Sequence, residues 1–440
     1  MNKFQEYKNI ISDLIKLSLP ILGGNLSQVL IGITDTAVAG RYSTLALGAI
    51  SVASAIIMTI TIGAIGLILS VSPVIANLRG QKEPAKRYFK ATILFSLLVS
   101  VPFFLIAEIM TYNVGVFGLD VELIEPVKQY MEICAWSVFP VAIFVALKEF
   151  LQAYEKVMVA NVIMLIMILI NLVLDIVLTF GCEICGIKIP AMGLLGLSVA
   201  TLLSKVVSAV MILIYCLPLF KTPYEKAKNY IKELFKIGFP ISCSMFFEFL
   251  GFNLTAVLIG KFSALYAGVH NIILCIANFT FMIVLSVSNA TSIKVGFYNG
   301  RGDKESIIKY SVSNIFITLC VCFVTFNLLF FFSDKIISIF SNDTEVIELS
   351  KNILKIAMAF LFFDGIQGAN VGILKGLKDT KIIMFTMLCA YLVIAIPTGC
   401  YFAFQKGIVL EGFWSGLALA LAFACAVTSF RVVHDIKKLD

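Results

Sequence analysis

Four carboxylates stand inside long apolar stretches of this chain: Asp35, Asp175, Glu248 and Asp364. A charge held among hydrocarbon costs several kcal/mol, on the order of 3 on the more lenient scales, so an acid in such a place points to a task. Each acid has polar company at helical spacing, as a stripe facing a cavity would. Gln28 and Asp35 are seven residues apart, as are Glu248 and Thr255, while Asn171 and Asp175 are four apart and Asp364 has Gln367 and Gly368 on its face. Burial penalises the ionised carboxyl, so these groups are suited to taking up and releasing protons. A hard cation such as sodium, seeking several oxygens, is the other ligand they suit, with Glu248 and Asp364 as its candidate holders. The structural alternative is that Asp35 and Asp364 cap helix ends. Lys205, one turn after Thr201, either pairs with Asp175 or Asp35 or stretches toward an interface. His270, beside Asn271, is either a packing histidine or a proton relay. His434, near the end of the sequence, has no assigned role.

The elements that must position these groups are spanning helices. Of 440 residues, 60% are apolar and 14% charged, and mean hydropathy is +0.98. A soluble domain carries roughly 25% charged residues. At about 20 residues per bilayer crossing, twelve segments are expected: 14–38, 45–76, 91–112, 129–151, 157–181, 190–216, 237–260, 264–293, 310–332, 352–374, 382–404 and 410–431. The first is too long for a signal-peptide core and contains Pro20 and Asp35, so it is read as a span. Sorting Lys and Arg by alternate connections puts 25 on one side and 6 on the other, with Lys205, Lys351 and Lys355 in or at spans. Both termini are therefore expected to be cytoplasmic, in a multi-pass protein of the plasma (inner) membrane. The net charge of +7 fits this orientation and contact with anionic lipid headgroups. No basic patch interleaved with aromatics suggests nucleic acid. Most of the eleven cysteines lie in apolar segments as small packing groups, and Cys182 and Cys185 form a lone C-x-x-C, two ligands short of a zinc site.

Shifted by 220 residues, the sequence matches itself without a gap. Lys16 falls on Lys236, Pro20 on Pro240, Gly40 on Gly260, Ser43 on Ser263, Gly48 on Gly268 and Gly80 on Gly300. Six spans per repeat return the chain to its starting side, so the halves are expected to be parallel repeats about an axis along the membrane normal. The expected division is a six-helix lobe over 1–220, a cytoplasmic linker over 221–236 and a second lobe over 237–440. The repeat sets Gln28 against Glu248 and Asp35 against Thr255, so each half carries an acid on the same helical face at a different height.

The stretch from Ile33 to Gly40 resembles the first-helix motif of multidrug and toxic compound extrusion (MATE) transporters. So do Gly238-Phe239-Pro240 with Phe246-Phe247-Glu248, Val269-His270-Asn271, Asn171 through Asp175, Gly193 through Thr201, and Leu374 through Asp379. Jointly these motifs cover the chain. The resemblance implies an all-α polytopic membrane protein with twelve transmembrane helices in two pseudo-symmetric lobes. It also implies secondary-active efflux of amphipathic organic cations in exchange for Na+ or H+ as the coupling ion. Glu248 and Asp364 match the second-lobe acids of the NorM-like branch, and Asp35, Asn171, Asp175 and Thr201 match the first-lobe cluster of the DinF-like branch. Lys205 departs from the family pattern. Phe246, Phe247 and Phe363 would offer aromatic faces to the cation. No nucleotide-binding loop is present, so neither ATP nor another cofactor is expected, and a bundle of this size can act as a monomer. One rival is a flippase of lipid-linked oligosaccharide or polysaccharide from the same wider superfamily, which would want arginines for a pyrophosphate. The other is a membrane-embedded enzyme, for which no accompanying nucleophile or metal-ligand cluster exists in the sequence.

Overall fold

In a bilayer no water satisfies the peptide groups, so an apolar chain must close its backbone hydrogen bonds within helices. The computed structural model describes residues 3–184, 187–223 and 228–439. Its helices are α1 (Lys3–Tyr42), α2 (Thr44–Ile68), α3 (Val71–Gly80), α4 (Phe89–Tyr112), α5 (Val121–Ala135), α6 (Val138–Ala153), α7 (Val157–Phe180) and α8 (Leu194–Tyr215). They continue as α9 (Lys228–Gly260), α10 (Ala264–Arg301), α11 (Lys304–Ser338), α12 (Thr344–Gly376), α13 (Lys381–Leu388), α14 (Ile396–Cys400) and α15 (Leu410–Lys437). A π-helical stretch, Cys389–Ala395, joins α13 to α14, and a second, Tyr401–Gln405, follows α14. Large apolar side chains such as Phe323, Phe331 and Phe430 point outward, as a lipid-facing surface requires.

Among the described residues, ten helices are long and apolar enough to cross a membrane, eleven if α5 and α6 form one span bent by 44°. The expectation was twelve. The segment expected at 129–151 is that bent pair, broken at Trp136–Ser137 and beginning eight residues earlier. The segment expected at 352–374 lies in α12, 33 residues long, which is not among the ten. From Phe360 onward α12 buries Asp364, Gln367, Asn370 and Lys375 along with its apolar residues, so this helix is turned inward. The connection at 182–189 holds a short antiparallel hairpin, β1 (Cys182–Ile184) with β2 (Ile187–Ile189). Cys185 lies outside the described residues. Of the basic stretch 221–236, residues 224–227 are likewise outside them, and from Lys228 onward it is already helix, with Tyr230 and Leu234 buried.

By contacts the chain forms two compact units whose sequences interleave. One comprises Gly23–Ile75 and Pro84–Ser242, the other Met1–Leu22, Ala76–Glu83 and Cys243–Asp440. In the first, Val38, Ala49, Ile50, Ala53, Met131 and Leu197 form a core. Helix α8 meets α7 where Gly196 lies on the backbone of Leu178, so close that a methyl there would stand 2.5 Å from the Leu178 carbonyl carbon.

The second unit is centred on α10, α12 and α15, with Phe360, Phe413, Trp414 and Tyr391 fully buried. Gly365, Gly368, Gly372 and Gly376 line one face of α12: Gly372 and Gly376 lie on the Ser288 and Ser292 carbonyls of α10, Gly368 makes room for Phe281 and Val284 of α10, and Gly365 for Cys322 of α11; Ser288 donates to the Gly368 carbonyl at 2.7 Å. Small residues at this spacing are the usual means of close helix packing in lipid. Asp13 joins the same unit through Lys294 at 2.8 Å and the Tyr310 hydroxyl at 2.6 Å, and Glu6 pairs with Lys309.

The 220-residue repeat is visible in local geometry. Ser43 and Ser263 are both extended N-caps whose hydroxyls accept amides of the following helix, Ala46 at 3.0 Å and Leu265 at 3.1 Å. Gly80 lies on the carbonyl of Phe297, and Gly300 lies on the carbonyl of Asn77. Each glycine thus meets the repeat counterpart of the other's partner.

Candidate functional site

The first unit gathers the polar residues of α1, α7 and α8 at one place. Asn171 and Asp175, one turn apart on α7, are both 0% exposed. The Asp35 carboxyl of α1 faces Asp175, Asn171 and Thr201, with the Lys205 ammonium in Coulombic range. Thr34 donates to the Asn171 side-chain carbonyl at 3.3 Å. The cluster keeps buried atoms without partners: Asp35 Oδ1, both Asp175 carboxyl oxygens, Asn171 Nδ2, and the hydroxyls of Thr179 and Thr201. Nearly all buried polar groups in proteins are paired, so a concentration of orphaned oxygens around two carboxyls suits a proton or a small cation. Tyr130 and Cys134 of α5 border Asp35 and Thr201 from the remaining side. Sequence reading missed Tyr130, and took Cys134 only as packing. Their four-residue spacing on one face of α5 was the available signal.

Lys205, one turn beyond Thr201 on α8, lines a small cavity of about 50 Å³ with Gln28, Ile31, Met167, Ser204 and Ser208. Gln28, two helical turns before Asp35, thus shares this cavity with Lys205.

The second unit brings Glu248 of α9 and Asp364 of α12 within electrostatic range of each other. The Tyr391 hydroxyl, unpartnered and fully buried, lies in electrostatic range of both acids. Its ring lies against Gly251, where a methyl would meet the ring at 2.6 Å, so the glycine makes room for the tyrosine. Lys375 acts on Glu248 from one side and Cys322 borders Asp364 on the other. Tyr391 and Lys375 were not among the site residues read from sequence; a tyrosine centred in an apolar segment was the clue to the first. Asp364 is buried, in the middle of its helix, so the capping alternative does not describe it. Asp35 is likewise in the interior of α1.

The remaining candidates belong to the same unit. Gln367 points its amide at the Met387 sulfur, 3.9 Å away. Thr255 is buried on α9 two turns past Glu248. His270 is buried with its ring centroid 5.7 Å from that of Trp414, and neither ring nitrogen has a hydrogen-bond partner, so it lacks the hydrogen bond that a packing histidine makes. Phe246 is exposed, while Phe247 and Phe363 are half-buried beside the unit's core. Among the described residues no three of His, Cys, Asp or Glu group together to hold a metal ion.

Long apolar helices that hide carboxyl pairs and leave their polar neighbours unpaired define an all-α polytopic membrane protein built as a transporter. The sequence profile of the MatE family matches residues 20–177 and 240–401, the two repeats. The chain belongs to the MatE family. It is 27% identical to a probable multidrug resistance protein NorM of Photorhabdus laumondii, covering 98% of this chain and 97% of that protein. It is equally identical to the multidrug resistance protein NorM of Vibrio vulnificus over 97% and 96%. Among solved structures, a MATE transporter in a bent conformation superposes with a TM-score of 0.89 at 18% identity, covering all of this chain and 98% of that one. A eukaryotic MATE transporter, AtDTX14, superposes with a TM-score of 0.85 at 19% identity over 98% of each chain. At these identities the structures speak for the fold alone.

Proposed function

We propose that this protein is a secondary-active multidrug exporter of the plasma (inner) membrane, with both termini cytoplasmic. It moves amphipathic organic cations outward in exchange for Na+ or H+ by alternating access, and acts as a monomer. The observation that carries this reading is the pair of acid clusters set within apolar helices, Asp35 with Asp175 and Glu248 with Asp364, the first surrounded by unsatisfied polar atoms and the second joined by the unpartnered Tyr391 hydroxyl. A carboxyl in such a place is stable when a proton or cation neutralises it. Proton, sodium and organic cation are then alternative partners for the same charges, and exchange follows from that competition. Glu248 and Asp364, with the Tyr391 hydroxyl, would supply oxygens to a sodium ion; Asp35, Asn171, Asp175 and Thr201 form the other coupling set. Phe246, Phe247 and Phe363 would supply aromatic faces to the substrate. Relatives of full length and known as multidrug resistance proteins support the substrate class.

The test is reconstitution into liposomes, following a fluorescent organic cation under a sodium gradient alone and under a proton gradient alone. One gradient drives transport, and Glu248→Gln or Asp35→Asn abolishes it. Transport that neither gradient drives, with both acids dispensable, would refute cation antiport and direct attention to lipid-linked substrates.

A further inference from the structure

Lys205 is a lysine held inside the membrane region, and the antiport reading gives it no task. Its position is built rather than incidental. Lys205 stands on the same face of α8 as Thr201, one turn away, and its side chain enters the small cavity beside Ile31 and Gln28. Ile31 is one turn before Asp35 on α1. The ammonium has no ion pair within 4 Å among the described residues, yet lies in Coulombic range of Asp35. The groups facing Asp35 are Asp175 and Asn171 from α7, Thr201 and Lys205 from α8, and Tyr130 and Cys134 from α5. Fully ionised, this set carries two negative charges and one positive, so a single further positive charge neutralises it.

We infer that Lys205 is a tethered counter-cation of the Asp35–Asp175 cluster, and that it excludes sodium from this cluster while leaving it open to a proton. The inference rests on the antiport reading and sharpens it, because sodium coupling would then be confined to Glu248 and Asp364. An ammonium is compact, strongly hydrated and offers only donors. Standing in Coulombic range of Asp35, it repels an alkali ion directly. For an ion about 5 Å from an ammonium at an effective dielectric near 20, the repulsion weakens binding on the order of 100-fold. A proton, bonded covalently to one carboxyl oxygen, needs no coordination shell.

The experiment uses the full-length protein purified in detergent, with thermal denaturation in sodium chloride compared with choline chloride. Lys205→Met is expected to gain a sodium-dependent rise in Tm that adding Asp35→Asn removes, while Lys205→Arg behaves as the native chain. Any sodium response of the native protein is expected to survive Asp35→Asn. Two results overturn the inference: a native sodium response lost on Asp35→Asn, or a folded Lys205→Met that gains none. If Lys205→Met fails to fold, Lys205→Gln takes its place and is read by the same two outcomes. Sodium binding is read here without transport, so failure of the efflux assay and failure of this inference are separate results.

Discussion

Gly300 is the position where a single methyl group has the most calculable effect. Its helix, α10, crosses α3 at Asn77, and a methyl at residue 300 would overlap the Asn77 carbonyl oxygen and stand 2.8 Å from its carbonyl carbon. The obstacle is backbone, so no rotamer change relieves it, and the helices must part by about 1 Å to restore ordinary contact, an over-packing worth about 1–3 kcal/mol. Parting them also strains two hydrogen bonds that depend on the approach, Asn77 to the Gly296 carbonyl at 3.2 Å and Lys378 to Asn77 at 2.7 Å. Each contributes about 1 kcal/mol, so Gly300→Ala is expected to cost roughly 2–4 kcal/mol in all. For a cooperative unit of about 200 residues this lowers Tm by on the order of 5–10 °C. Gly268, on the same helix with open space around it, is the control: Gly268→Ala removes a flexible residue and gains up to about 1 kcal/mol. The assay is thermal denaturation of both purified variants in one detergent at one heating rate. A Gly300→Ala protein that melts with Gly268→Ala would refute the reading of this crossing as a backbone contact.

Tyr391→Phe removes an unpartnered hydroxyl in range of two acids while keeping the ring that packs on Gly251. Cation-driven efflux is expected to fall about 10-fold with Tm unchanged, as for loss of a single polar contact to a charge; a fall in Tm with full transport would make Tyr391 structural. His270→Phe keeps the packing on Trp414 and should leave efflux per folded molecule intact, while loss of transport at normal Tm would assign the unpartnered ring nitrogens to a proton relay. A reporter fused after residue 440 should be fluorescent as a cytoplasmic protein and inactive as a periplasmic enzyme, and the opposite pattern would reverse the topology.

Much of this was legible in the sequence because lipid is an unforgiving solvent. Apolar runs, basic connections and the 220-residue repeat are one-dimensional signals, and the Ser43 and Ser263 caps fall where the repeat placed them. The four acids were legible for the same reason: in hydrocarbon a carboxylate is conspicuous without any knowledge of its neighbours. Pairing was less so. Helical spacing linked Asn171 to Asp175, but joining them to Asp35 on one helix and Thr201 on another needed the packing of three helices. Phe246 shows the limit from the other side, since its neighbour in sequence, Glu248, faces inward while Phe246 itself is exposed.

Composition, periodicity and charge asymmetry determined by themselves that this chain is a bundle of membrane-crossing helices in two related halves, because those properties follow from the solvent. Tertiary structure alone decided which polar groups share a site and which unit each segment joins. It placed Tyr130 within range of Asp35 and Tyr391 within range of both Glu248 and Asp364. It also gave residues 76–83 and the first turns of α1 to the unit built from the second half. Those outcomes depend on backbones meeting at glycines and on ion pairs such as Asp13 with Lys294. Such contacts join residues hundreds of positions apart, and no local pattern records them.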